Sequence, residues 1–155
     1  MKTARRIVST FIVAAGALAS VPLALGQAGT TVNDGDWPNI HGEISSQRYS
    51  PLDQINAGNV ADLEIAWRFS TKGFGRVTDY VNPSTPIEIE GILYANVGIT
   101  RNVVALDATS GQVLWMFRYQ EGDRFDEAPR KGSGRGVSFW TDGNAQRIID
   151  VSPGY

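Results

Sequence analysis

The sequence predicts an all-β fold made of repeated units, each with about four short strands. The alternating segment "AWRFS" at 66–70 resembles "LWMFR" at 114–118, and the tryptophans Trp67 and Trp115 lie about 50 residues apart. A second pair of similar segments is "TPIEIEGILYANV" from position 85 and "RGVSFWTDGNAQRIIDVSPG" from position 135. A period of about 50 residues with about four strands is typical of a β-propeller, and a β-sandwich is the alternative.

One unit divides into four strands separated by turn-forming residues. The predicted strands are Pro86–Glu90, Ile92–Val97, Val103–Leu106 and Gln112–Tyr119. The connections are a tight "EG" hairpin, a loop over 98–102 and the turn "DATSG" at 107–111. In the last strand one face carries Val113, Trp115, Phe117 and Tyr119, and the other carries Gln112, Leu114, Met116 and Arg118. Such alternation predicts a half-buried strand.

The "AWRFS" segment also alternates, with Ile65, Trp67 and Phe69 predicted to face inward. The resulting division of the chain is a signal peptide at 1–26, an N-terminal segment with a propeller-closing strand at 27–79, a blade at 80–120, and an inter-blade loop with the start of a truncated blade at 121–155. About one complete blade and parts of two others are therefore expected. Propellers close with four or more blades, so we expect this chain to be the N-terminal portion of a longer protein or the product of a truncated reading frame.

Composition is that of a folded domain without a nucleic-acid partner. The 155 residues are 42% hydrophobic and 19% charged, with a net charge of −2. This balance favours a packed core, and nucleic-acid binding usually needs a basic face. The chain has no cysteine, so it has no disulfide and no lipoprotein cysteine.

The N-terminus is typical of an exported protein. Lys2, Arg5 and Arg6 precede an apolar run from Ile7 to Leu25, and "ALG" at 24–26 fits a cleavage site. This pattern predicts a secretory signal peptide and a periplasmic or secreted protein. The alternative is an uncleaved segment that anchors the protein in a membrane.

The turn segment "ALDATSGQVLW" resembles the tryptophan-docking motif of the pyrroloquinoline quinone (PQQ) dehydrogenases. The motif positions are Ala105, Asp107, Gly111 and Trp115, while Ser110 and Gln112 stand where threonine and lysine are usual. The stretch from Asp36 to Trp67, with "RYSPLDQIN", resembles the start of the same family, and most of all its membrane-type glucose and polyol branch. The resemblance extends to Tyr155.

In that motif each residue has a structural task. Asp107 accepts hydrogen bonds from backbone N–H groups two or three residues on. Gly111 suits a left-handed conformation at the end of the hairpin. Trp115 is expected to wedge between blades and bury most of its surface.

The resemblance implies the N-terminal part of an eight-bladed propeller that oxidises an alcohol, polyol or aldose in the periplasm. The implied cofactors are PQQ and Ca²⁺, and the implied electron acceptor is ubiquinone or a cytochrome c. The catalytic base and the calcium ligands of the family lie in later blades, so no catalytic or metal residue is expected in this chain. The alternative is a non-catalytic propeller scaffold of the cell envelope, a class that is usually lipid-anchored through a cysteine.

Arg135 is the main candidate for contact with the cofactor. PQQ is planar and carries three carboxylates, and arginine binds carboxylates through a bidentate fork. In the family an arginine before Gly-(Leu/Val)-(Ala/Ser)-aromatic contacts PQQ, and "RGVSF" matches this pattern. Many members have a glutamate where this chain has Pro83, so the contact from that loop is assigned to Asn82 or Ser84. The adjacent cysteines of alcohol-oxidising members are replaced by "RKGSG".

Other catalytic sites lack their residues in this sequence. His41 is the single histidine, so a Ser–His–Asp site would depend on it, and no "GxSxG" segment accompanies it. The segment "GSGRG" at 132–136 lacks the spacing of a nucleotide-binding loop. Asp123, Asp126 and Glu127 lack the spacing of a calcium loop.

Overall fold

The computed structural model describes residues 35–43 and 45–154. The predicted signal peptide at 1–26 lies outside these residues. The elements are a 3-10 turn at Val60–Asp62, strands β1 (Ile87–Ile89), β2 (Ile92–Val97), β3 (Asn102–Asp107) and β4 (Val113–Phe117), helix α1 (Asp123–Glu127), and strands β5 (Ser138–Thr141) and β6 (Gln146–Ile149). Within the described ranges, no helix has the length and apolar character needed to cross a membrane.

Strands β1 to β4 form an antiparallel sheet in sequence order, and β5 pairs with β6 in a separate hairpin. The prediction of an all-β fold with a four-stranded unit is confirmed, and each predicted strand bound is within two residues of the observed one. Glu90 and Gly91, between β1 and β2, have φ values of 53° and 80°. Two successive positive φ values match the twist of a two-residue hairpin, which explains the short "EG" connection.

Strand β3 is buried on both faces of the sheet, from Asn102 to Leu106. On one face Val103 packs with Ile87 and Ile89 of β1, and Phe139 and Ile148 of the β5–β6 hairpin close over them together with Tyr119. On the other face Val104 and Leu106 pack against the segment 67–74. The continuous apolar run of β3 is therefore the centre of two cores.

The strand predicted at 66–70 is absent from the described residues, because this segment contacts the sheet through side chains and not through a ladder of backbone hydrogen bonds. Trp67 and Phe69 are half-buried, whereas Ile65 is 65% exposed. The prediction of an inward-facing Ile65 is wrong within the described part of the chain, where no strand lies beside Ile65 to cover it.

Trp67 docks on the turn between β3 and β4. Its indole Nε1–H donates to the carbonyl oxygen of Ala108 at 3.0 Å. Its ring lies where a side chain at position 111 would stand, because a Cβ built on Gly111 would be 2.5 Å from the indole. Gly111 also has a φ of 72°, so a residue without a side chain meets both requirements of this position.

Asp107 shapes the same turn. Its carboxylate Oδ1 accepts hydrogen bonds from the backbone N–H and the hydroxyl of Ser110, both at 2.7 Å. The N–H of Gly111 donates to the backbone oxygen of Asp107 at 2.8 Å. These bonds fix the turn surface that receives Trp67.

Trp115 is 43% exposed, so it buries somewhat more than half of its surface in this chain, and its expected place between two blades stays a prediction. It lies opposite Ala105 in the β3–β4 register, and its ring centroid is 5.9 Å from that of Tyr94. Its outer side borders an aromatic cleft of about 470 Å³ toward the β5–β6 hairpin. Strand β4 pairs only with β3 among the described strands, and its side chains are correspondingly exposed.

We expect the substitution Ser110→Ala to raise the pKa of Asp107. Hydrogen bonds from the Ser110 hydroxyl, and then from its backbone N–H, hold the pKa of Asp107 below its ordinary value of 3.8. The stabilisation from this lowered pKa is present above the ordinary pKa and is lost as the pH falls through the folded-state pKa. An NMR titration of the Asp107 carboxyl carbon measures the change, and Ser50→Ala, which removes a loop hydroxyl in a distant segment, is the control. An unchanged Asp107 titration would contradict the assigned role of the hydroxyl.

Residues 27–155 expressed alone are expected to be poorly soluble or partly molten. Leu114, Trp115 and Phe117 on the outer strand β4 are each more than 40% exposed, and contiguous exposed apolar surface promotes association. Dye binding with 8-anilinonaphthalene sulfonate and near-ultraviolet circular dichroism measure the state. A monomer with sharp near-ultraviolet bands and no dye binding would contradict the expectation.

Candidate functional site

A cavity of about 620 Å³ lies between the segment 79–85, the β2–β3 turn and the loop 130–135. Its lining includes four basic side chains and one acidic side chain: Arg101, Arg130, Lys131, Arg135 and Asp79. This excess of positive charge favours an anionic ligand.

The acidic side chain is engaged by backbone N–H groups. One carboxylate oxygen of Asp79 accepts from the N–H of Ser133 at 2.8 Å, and the other accepts from the N–H of Val81 at 3.2 Å. Both carboxylate oxygens of Asp79 are therefore hydrogen-bonded to the backbone of the pocket wall. The four basic side chains outnumber this single acidic group, so the pocket has a net positive charge.

The loop that carries Arg135 is tied to two other segments. The N–H of Gly132 donates to the carbonyl oxygen of Ile99 at 3.1 Å, and the N–H of Thr85 donates to that of Arg135 at 3.0 Å. A Cβ on Gly136 would be 2.6 Å from the Thr85 carbonyl oxygen, so glycine allows this close approach. These contacts place the backbone of Arg135 directly beside the 83–85 segment.

The two predicted cofactor contacts lie in different cavities. Arg135 lines the basic pocket with an exposed side chain. Asn82 lines a separate cavity of about 210 Å³ with Trp67 and Asn96, and its Oδ1 accepts from the N–H of Ser84 at 3.1 Å. From this segment the basic pocket receives Val81, Pro83 and Thr85. A cofactor contact by Asn82 stays a prediction that these positions do not support.

Sequence reasoning did not identify Asp79, Arg101 or Ser133 as pocket residues. Ser133 is fully buried, and its hydroxyl has no hydrogen-bond partner among the described residues. Ser133 lines the basic pocket, so this buried polar atom without a partner lies at the pocket wall. These three residues come from separate segments of the chain and meet only in the folded structure. Their spacing in the sequence therefore matches no binding motif.

The pocket has the chemistry to bind a planar polycarboxylate. Guanidinium groups pair with carboxylates through two parallel hydrogen bonds, and Ser133 adds an unpaired hydroxyl. These donors fit PQQ. Across the part of the chain that the structure describes, no group of three or more histidine, cysteine, aspartate or glutamate side chains is placed to hold a metal.

The four-stranded antiparallel unit, the indole docked on its β3–β4 turn and the basic pocket are together features of a quinoprotein-type β-propeller. Residues 37–154 match the family described as PQQ: glucose/ethanol/alcohol dehydrogenase, β-propeller domain. The chain belongs to this family.

Individual relatives agree with this assignment. The chain is 33% identical to the dehydrogenase subunit of alcohol dehydrogenase (quinone) from Gluconobacter oxydans, over 79% of this chain and 17% of that protein. It is 37% identical to quinoprotein glucose dehydrogenase from Escherichia coli, over 73% of this chain and 14% of that protein. The crystal structure of quinohemoprotein alcohol dehydrogenase from Comamonas testosteroni superposes with a TM-score of 0.58 at 31% identity, covering 75% of this chain and 17% of that one. The chain thus spans less than a fifth of the length of each.

Proposed function

We propose that this chain is the N-terminal portion of a periplasmic, PQQ- and Ca²⁺-dependent dehydrogenase that oxidises an alcohol, polyol or aldose. The basic pocket around Arg135 is the observation that carries the proposal. Its surplus of positive charge complements the carboxylates of PQQ. Membership of the PQQ family supports the same ligand.

The residues of this chain would bind and orient the cofactor. The Arg135 guanidinium would pair with a PQQ carboxylate, and the Ser133 hydroxyl, which has no partner among the described residues, would donate a hydrogen bond at the pocket wall. The chemistry supplied by bound PQQ would be the removal of two electrons and two protons from the hydroxyl-bearing carbon group of the substrate. The electrons would pass on to ubiquinone or a cytochrome c, in line with the quinone-linked and haem-containing relatives.

The catalytic base and the Ca²⁺ ligands are assigned to segments outside this chain. Residues 27–155 alone are therefore expected to reduce no dye with PQQ, Ca²⁺ and either glucose or ethanol. The aldose branch and the alcohol branch of the family both occur among the relatives, so the substrate class is tested with both.

The test uses the full-length apoprotein purified without cofactor. Added PQQ and Ca²⁺ should confer dye reduction with at least one alcohol, polyol or aldose, and omission of either cofactor should abolish it. PQQ binding without turnover on any of these substrates would refute the assigned reaction. Absence of PQQ binding would refute the proposal as a whole and would favour a non-catalytic scaffold.

A further inference from the structure

Arg101 links three parts of the chain through its guanidinium. It lies in the turn between β2 and β3, and its Nε–H donates to the carbonyl oxygen of Gly132 at 3.0 Å. Its Nη1–H donates to the carbonyl oxygen of Val151 at 3.0 Å. One side chain thus bonds the loop before Arg135 and the segment after β6.

The backbone at Arg101 has an uncommon conformation for this residue type. Its φ is 53°, in the left-handed region that glycine and asparagine adopt most readily. The turn is held by a hydrogen bond from its N–H to the Gly98 carbonyl at 3.1 Å, and its own carbonyl accepts from Nδ2 of Asn96 at 3.4 Å. Asparagine would adopt this backbone conformation more readily, but its side chain is too short to reach Gly132. The hydrogen bond from the longer arginine side chain offsets the cost of the left-handed conformation.

The loop is shaped to receive the Arg101 side chain. Gly134 has a φ of 72°, and a Cβ built on it would be 3.1 Å from Nε and 3.2 Å from Cδ of Arg101. The backbone therefore passes close over the guanidinium stem. The next residue in the chain is Arg135.

We propose that Arg101 is a positioning residue for the cofactor pocket, because it fixes the 132–134 loop and through it the placement of the Arg135 guanidinium. The inference rests on the proposed function, since Arg135 is assigned there to the cofactor. In the described part of the chain, the partners of the Arg101 guanidinium are carbonyl oxygens, which leave its positive charge at the pocket wall. Arg101 can therefore affect an anionic ligand in two ways, by holding the loop that carries Arg135 and by its own positive charge. The experiment separates these two effects.

The first measurement is hydrogen–deuterium exchange on the full-length apoprotein. In Arg101→Gln, the amides of Gly132 and Ser133 should exchange about tenfold faster or more, because the loop loses one of its anchors. Peptides from β2 and β3 serve as internal standards. Arg147→Gln is the matched control, since this arginine lies over the Trp140 ring on the β5–β6 hairpin.

The second measurement is a PQQ titration of four apoproteins: wild type, Arg101→Gln, Arg135→Gln and the double variant. Loss of a hydrogen-bonded guanidinium should weaken binding about 10-fold to 100-fold in the wild-type background. In the Arg135→Gln background the same substitution should weaken it no more than about threefold, because the group that Arg101 positions is absent. Arg101→Lys keeps the charge but cannot make both carbonyl contacts, so it should resemble Arg101→Gln.

Each result decides a different question. Equal losses in both backgrounds, or full affinity in Arg101→Lys, would show that Arg101 acts by charge alone and would overturn the positioning role. Unchanged exchange at 132–133 would overturn it as well. If wild type binds no PQQ, the proposed function fails, while the exchange experiment still reports whether Arg101 holds the loop. If Arg101→Gln fails to fold, Arg101→Lys supplies the same comparisons.

Discussion

Replacing Arg135 by alanine in the full-length protein is expected to weaken PQQ binding by about 30-fold or more. The guanidinium would pair with a carboxylate of the cofactor, and truncating one partner of a desolvated charge pair costs about 2 kcal/mol or more. Arg135 is exposed in the chain by itself, so the pair would be shielded from water only when the ligand covers it. Arg135→Lys should fall between wild type and alanine, because it keeps the charge and loses the fork.

The measurement is a fluorescence titration of apoprotein with PQQ. Substrate KM with saturating PQQ should change much less than cofactor affinity, because the side chain is assigned to the cofactor and not to the substrate. Arg118→Ala is the control, since this residue lies over the Phe74 ring, outside the basic pocket. Equal PQQ affinity for folded wild type and Arg135→Ala would return Arg135 to the role of a surface residue.

Gly111→Ala is expected to destabilise the protein by about 2–3 kcal/mol more than Gly91→Ala. Both glycines have similar left-handed φ values, of 72° and 80°, so both variants share the backbone penalty of about 1 kcal/mol. A Cβ at 111 would be 2.5 Å from the Trp67 indole, whereas a Cβ at 91 has no atom within 4 Å. Displacing the indole would lose its hydrogen bond to Ala108 and its burial against the turn.

Urea unfolding of the full-length variants, followed by tryptophan fluorescence, measures the difference. The extra loss should shrink when Gly111→Ala is combined with Trp67→Ala, because the ring that clashes is then absent. Equal losses for Gly111→Ala and Gly91→Ala would mean that the docked indole contributes no stability.

Patterns of the chain predicted the strands well, because alternation and turn residues act locally. The "EG" hairpin and the "DATSG" turn set the bounds of β1 to β4 to within two residues. The strand predicted at 66–70 is wrong because alternation reports only on the local segment. "AWRFS" alternates like a strand, but a strand also needs a partner, and the described residues provide none.

The burial of the two tryptophans could not be assigned from the repeat alone. Trp67 and Trp115 occupy equivalent positions in similar segments, yet Trp67 meets the turn at Ala108 and Trp115 borders an open cleft. Which indole is covered depends on the neighbouring unit and not on the segment that carries it.

The candidate site was predicted in part. Arg135 was found because its segment "RGVSF" matches a family pattern, and the structure places it in the basic pocket. Asn82 was selected by its position beside Pro83, but neighbouring residues of an extended segment point to opposite sides, and Asn82 lines the other cavity. Arg101 carries no motif, and its contacts reach residues 31 and 50 positions away.

The contact between Trp67 and the β3–β4 turn has a consequence for the order of folding. The two sides of the hydrogen bond are 41 residues apart, while β2, β3 and β4 are joined by short turns. Closing the longer loop costs more chain entropy, and the surface that receives the indole exists only after Asp107 and Ser110 have formed the turn. We infer that strands β2 to β4 assemble first and that the segment containing Trp67 attaches afterwards, so this segment becomes ordered after strands that follow it in the sequence.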